Sequence, residues 1–129
     1  MINSNVFNYL NVLNKAADAS WLRNEAISNN IANVDTPGYK RQDVDFESAL
    51  EVELKKSKYS TLDEKILNSN LKHLDVSTYT DSAGFSYRID DNNVDIDTEN
   101  VELASNQIKY NGLVDSMKQE ISRLKLVIK

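Results

Sequence analysis

Apolar residues recur at both ends of the chain in alternating steps of four and three. Near the amino end the stripe runs Val6, Leu10, Leu13, Ala17, Ser20, Asn24, Ile27 and Ile31; near the carboxyl end it runs Leu103, Gln107, Tyr110, Val114, Met117, Ile121, Leu124 and Ile128. Such spacing keeps about one side chain per turn on a single face, as in an amphipathic helix or a coiled-coil seam. The first stripe predicts about 28 helical residues, a rod of roughly 42 Å, stopping near Asn33. The second predicts a helix from Asp97 to the carboxyl end. Ser4 and Asp97 can cap these helices by accepting a free backbone N–H. Glu99 in a first turn, with Lys118, Arg123, Lys125 and Lys129 towards the far end, suits the helix dipole. Trp21, just off the first stripe, widens its apolar face. The two helices are expected to pair as an antiparallel coiled coil. Ser20, Asn24 and Gln107 place polar groups in the seam, which costs stability and fixes register. An isolated pair should therefore be weak, with partner subunits covering the outer faces.

The middle reads differently. Residues 33–45 form a loop, because Pro37 disfavours helix for Thr36 and Pro37-Gly38 suits the centre of a type II turn. Phe46, Leu50 and Leu54 share one face of a short helix over 46–57. A second short helix is expected within 62–71, and the β-branched and aromatic residues of 76–90 predict a small β-hairpin turning at Ser82-Ala83-Gly84. The fold class is thus mainly α, in three parts: an amino-terminal helix (1–33), a signature loop with a small middle region (34–96), and a carboxyl-terminal helix (97–129).

Composition narrows the chemistry. The 129 residues include no cysteine and a single histidine, which excludes disulfides, thiol nucleophiles and multi-histidine metal sites. A net charge of −5, with basic residues only in small pairs such as Lys40-Arg41 and Lys55-Lys56, argues against nucleic acid. Asp91, Asn93, Asp95, Asp97 and Glu102 approach the spacing of a calcium loop, but Ile96 stands where the sharp turn demands glycine. A solvated acidic turn leading into a capped helix fits better. His73 has no partner at ligand spacing. No nucleophile elbow or carboxylate pair stands out, so no enzyme, cofactor or metal is expected. No run approaches the roughly 20 apolar residues of a membrane span, and no basic-then-apolar export signal opens the chain, whose first basic residue is Lys15.

The distinctive stretch is Ser28-Asn29-Asn30-Ile31-Ala32-Asn33-Val34-Asp35-Thr36-Pro37-Gly38-Tyr39-Lys40-Arg41. Asn29 and Asn33, four residues apart, could present neutral amides across a subunit boundary without burying charge. This stretch resembles the amino-terminal signature of the axial family of the bacterial flagellum, which comprises rod, hook and related proteins. Asp43-Val44-Asp45-Phe46, Asn93 to Asp97 and Leu103 to Tyr110 resemble the short proximal rod members, as does the total length. The resemblance covers roughly 20–46 and 92–128; residues 51–90 match nothing in the family.

The resemblance implies a structural subunit of the proximal rod, joining the MS-ring to the distal rod and hook and needed for motility. It implies assembly through Asn29, Asn30, Ala32, Asn33, Asp35, Thr36, Pro37, Gly38, Tyr39 and Lys40. The implied partners are other rod subunits, further copies of the chain, the MS-ring adaptor and the flagellar type III export apparatus. Export to the periplasmic rod would proceed without a cleaved signal, and Phe46 with Leu50 has the form of an export-gate element. The alternatives are a cytoplasmic helical adaptor or chaperone using the same stripes, and the other short proximal rod protein of the same family.

Overall fold

The computed structural model describes residues 5–82 and 88–128. Two helices dominate it: α1, Asn5–Ala32, and the final helix, Ile96–Val127. Between them lie a strand β1 (Gln42–Val44), helices α2 (Phe46–Lys56) and α3 (Leu62–Leu67), a 3-10 turn (Leu71–Leu74) and a strand β2 (Thr78–Thr80), so the final helix is α4. The long helices run antiparallel. Asn30 meets Glu99 and Ser20 meets Asn106, Trp21 leans on Tyr110, and Ala17 lines a groove with Met117.

The α1 stripe packs largely as its spacing predicts. Ala17, Ser20 and Ile27 are buried, and Leu10, Leu13, Asn24 and Ile31 are half-buried. Ser4 and the side chain of Val6 lie outside the described residues. A second face of α1 is also covered: Ala19 and Ala26 join Val44, Phe46 and Leu74 in the core of the middle region. Alanines on that face let β1 approach the helix closely.

The α4 stripe departs from the strict heptad. Leu103, Tyr110, Val114, Met117 and Leu124 are half-buried, but Gln107, Ile121 and Ile128 are exposed, and the buried seam residue is Asn106. Stepping three rather than four from Leu103 brings Asn106 against Ser20. Its Oδ1 accepts from Ser20 Oγ at 2.9 Å, while its Nδ2 donates to the Ser20 carbonyl at 2.8 Å. This reciprocal pair fixes the phase. A strict seven-residue repeat also drifts about 20° per heptad on a straight helix, which carries Ile121 and Ile128 off the contact face. The α4 cap is Asp95 rather than Asp97: its side chain accepts from Asp97 N and Thr98 Oγ1.

In the middle, the loop expected over 33–45 contains β1, which pairs antiparallel with β2 in the register Gln42–Thr80, Asp43–Tyr79 and Val44–Thr78. The two-stranded sheet is therefore closed by a distant strand. Much of the turn expected at Ser82-Ala83-Gly84 lies outside the described residues. Phe46 anchors α2 in the core, with Leu50 packed against it. The helix expected within 62–71 ends at Leu67, because the side chains of Asn68 and Ser69 bond back to the Glu64 and Ile66 carbonyls and stop it.

Three carboxylates that fasten this framework are held below their usual pKa. Asp45, the α2 cap, is lowered by its bonds from Ser48; Asp95 by its bonds from Thr98 and Asp97; and Glu53 by the Asn70 N–H and then His73. Because the unfolded chain takes up these protons first, their stabilisation is complete above the ordinary carboxylate range and is lost as pH falls through the lowered folded values. The urea midpoint is therefore expected to hold between about pH 5 and 7 and to fall below about pH 4. Asp95→Asn should flatten that fall when the titration is followed by circular dichroism.

Candidate functional site: the signature turn and its clamp

The end of α1 is closed by the chain segment that leads into α4. Thr36-Pro37-Gly38-Tyr39 forms the expected type II turn, with Gly38 at φ +72° and the Tyr39 N–H donating to the Thr36 carbonyl at 3.2 Å. Asn92, fully buried, reaches across and donates through Nδ2 to the carbonyls of Asn33, Val34 and Thr36 at 2.9–3.0 Å. Its Oδ1 accepts from Val94 N at 2.8 Å. Arg88 adds a bond to the Val34 carbonyl, the Gly38 N–H donates to the Asp90 carbonyl at 2.7 Å, and Lys40 Nζ donates to the Asp91 carbonyl at 2.5 Å. Asp91 takes φ +63° to offer that carbonyl, a conformation aspartate adopts more readily than most residues.

A Cβ built at Gly38 meets nothing within 4 Å, so only the backbone resists substitution there. Gly38→Val is expected to lower unfolding free energy by about 1–2 kcal/mol in urea titrations, and Gly38→Asn by less.

Beneath the turn, Asn30 takes the place of a third strand. It is fully buried, and its carboxamide donates to the Gln42 carbonyl at 2.7 Å and accepts from the Gln42 N–H at 2.9 Å, covering the free edge of β1. The same Nδ2 donates to Glu99 at 3.0 Å, and Oδ1 accepts from the Tyr39 hydroxyl at 3.3 Å. Burial, then the nearby Glu99 charge, raises the Tyr39 pKa.

Glu99 is completely buried and is the hub of an ionic network. Arg41 Nε donates to Glu99, while its two terminal nitrogens reach Asp81 at 3.2 Å and Asp43 at 3.0 Å. Arg23 bridges Asp43 at 3.0 Å and Glu102 at 3.1 Å. Burial opposes the Arg41 charge, but the bond and charge of Glu99, helped by Asp43, outweigh it and hold the guanidinium pKa above its usual value. One network thus ties α1, the signature, β1, the residue that follows β2, and α4 together.

The expected signature residues divide into two groups. Asn30, Asn33, Thr36, Gly38, Tyr39 and Lys40 are bound within the chain; Asn33 donates to the Asn29 carbonyl and accepts from Thr36 Oγ1. Asn29, Ala32, Asp35 and Pro37 are exposed. The acidic stretch considered for calcium is turned to other partners. Asn93 accepts the Arg41 N–H at 2.6 Å, Asp95 caps α4, and Glu102 pairs with Arg23. Among the described residues no three acidic or histidine side chains converge on a metal position, and no helix is long and apolar enough to cross a membrane. Sequence reasoning missed Arg41, Asp43, Asn92 and Asn106. It took Glu99 for a dipole residue, and only its place four residues before Leu103, in line with the apolar stripe, hinted at an inward face.

The family model described as flagella basal body rod protein matches residues 10–40, which span most of α1 and the signature turn through Lys40. The flagellar basal body rod protein FlgB of Bacillus subtilis is 34% identical over 122 residues, covering 90% of this chain and 89% of that protein. FlgB of Borrelia hermsii is 37% identical over 123 residues (87% and 89%), and that of Escherichia coli 30% over 113 (82% of each). The chain belongs to the FlgB family of flagellar basal-body rod proteins, structural subunits of the basal body.

Proposed function

We propose that the chain is a subunit of the proximal rod, joining the MS-ring to the distal rod and hook, and that its work is mechanical rather than catalytic. One observation carries this reading. The 32 residues of α4 bury only two side chains, both polar, while its Val101, Ile108, Leu126 and Val127 face outward. A helix that long with so little of its own core gains burial from neighbours. Other rod subunits and further copies of the chain supply those neighbours, and the MS-ring adaptor meets the proximal end. Asn29, Ala32, Asp35 and Pro37 form the part of the signature offered to them, and the clamped residues hold that surface in shape.

Delivery uses the flagellar type III export apparatus without a cleaved signal and leaves the chain in the periplasmic part of the rod. In the folded chain Phe46 is a core residue and Leu50 packs beside it, so their use as an export-gate element requires that they engage the gate before folding. The deciding experiment is deletion of the gene with electron microscopy of basal bodies and fractionation of a complemented strain. Missing rods, lost swimming and the chain in purified basal bodies support the reading. A complete rod in the deletion strain, or a purely cytosolic chain acting as an adaptor, overturns it.

A further inference from the structure

Two grooves flank Trp21, whose side chain is 63% exposed and tilts at 50° against Tyr110 with ring centroids 6.3 Å apart. One groove, about 360 Å³, is floored by Ala19, Leu22, Leu74 and Val76; the other, about 400 Å³, by Ala17, Tyr110 and Met117. Asp18 and Trp21 line both, forming a ridge between them. Lys15 and Asp75 on the rim neutralise each other. Asp18 is exposed and has no ion-pair or hydrogen-bond partner among the described residues.

The last turn of α4 has the complementary character. Leu126, Val127 and Ile128 are 71–78% exposed. Lys118 and Arg123 are paired with Asp115 and Glu120, whereas Lys125, exposed, has no ion-pair partner among the described residues. Among the described residues the chain therefore carries an apolar ridge with one unneutralised carboxylate and an apolar helix end with one unneutralised ammonium. They cannot meet within one molecule. Leu126 follows Tyr110, which lies against Trp21, by about 16 residues, or roughly 24 Å of helix.

Resting on the rod reading, we infer that the carboxyl end of α4 in one copy seats on the Trp21 ridge of a second copy, with Lys125 against Asp18. Each copy gives an end and receives another, so the contact is head-to-tail and does not stop at a dimer. A single such contact is small; repetition along an assembly makes it effective.

The chain has no cysteine, so a disulfide can report the contact directly. The full-length Asp18→Cys/Lys125→Cys variant would be expressed in a strain lacking the gene, and isolated basal bodies oxidised and run on a non-reducing gel. The expected result is a ladder of multiples of the 14.6 kDa chain from the pair and monomer alone from each single variant. Monomer alone from the pair in basal bodies that contain it, or linkage only to a different rod protein, overturns the inference and leaves the rod reading standing. Absence of the wild-type chain from basal bodies overturns the rod reading instead. If the cysteine pair does not assemble, Asp18→Lys with Lys125→Asp decides. Swarm diameter at least halved in each single variant and recovered in the pair supports the contact; no recovery overturns it.

Discussion

Arg41→Ala is expected to remove about 3–5 kcal/mol of stability, read as a shift of the urea unfolding curve of the purified chain by circular dichroism. The reason lies in what is left behind. Glu99 is completely buried and has two donors, Arg41 and Asn30. Without the guanidinium its charge faces one neutral amide, and Asp43 and Asp81 lose a cation as well. A domain of ordinary stability, about 5–15 kcal/mol, would be left near its unfolding threshold. Glu99→Gln should cost less, since it removes the buried charge together with its attraction. Arg41→Met combined with Glu99→Leu should recover much of the loss, as apolar replacements of buried pairs often do. A double variant as unstable as Arg41→Ala would show that the network matters for shape rather than charge balance.

Asn30→Ala is expected to cost about 3 kcal/mol, because it strips partners from both backbone groups of Gln42 and from Glu99. Asn30→Asp is nearly the same size but should be worse. It replaces the amide that donates to Glu99 at 3.0 Å with a second carboxylate, and like charges at that range repel strongly away from water. The order wild type, Ala, Asp in urea midpoint at pH 7 is the test. If Asp is tolerated better than Ala, the neutral amide is not what this position requires.

The long helices were legible because their burial follows local periodicity, which any window of the chain contains. The signature turn was legible for the same reason: Pro37-Gly38 fixes its own geometry. The hub was not, because Arg41 and Glu99 come from opposite sides of the middle region and neither is unusual where it stands. Lys40-Arg41 looks like a solvated pair, and Glu99 looks like one more acidic residue at a helix start. Asn92 likewise disappears into an acidic run that superficially suits a cation. Even the α4 seam turned on a single residue. Asn106 and Gln107 are both amides beside Leu103 on a helix, and only the Ser20 hydroxyl across the seam distinguishes them. Periodicity gives a face; the partner chooses the residue on it.

The clamp also sets an order of events. Asn92, Asn93 and Glu99 all follow the long excursion of the middle region, yet they satisfy carbonyls and amides near residues 30–41. A chain that emerges amino end first therefore carries its signature unfinished until nearly three-quarters of its length is available, and closing so wide a loop is slow. The surface formed by the signature therefore exists only once the final helix has arrived.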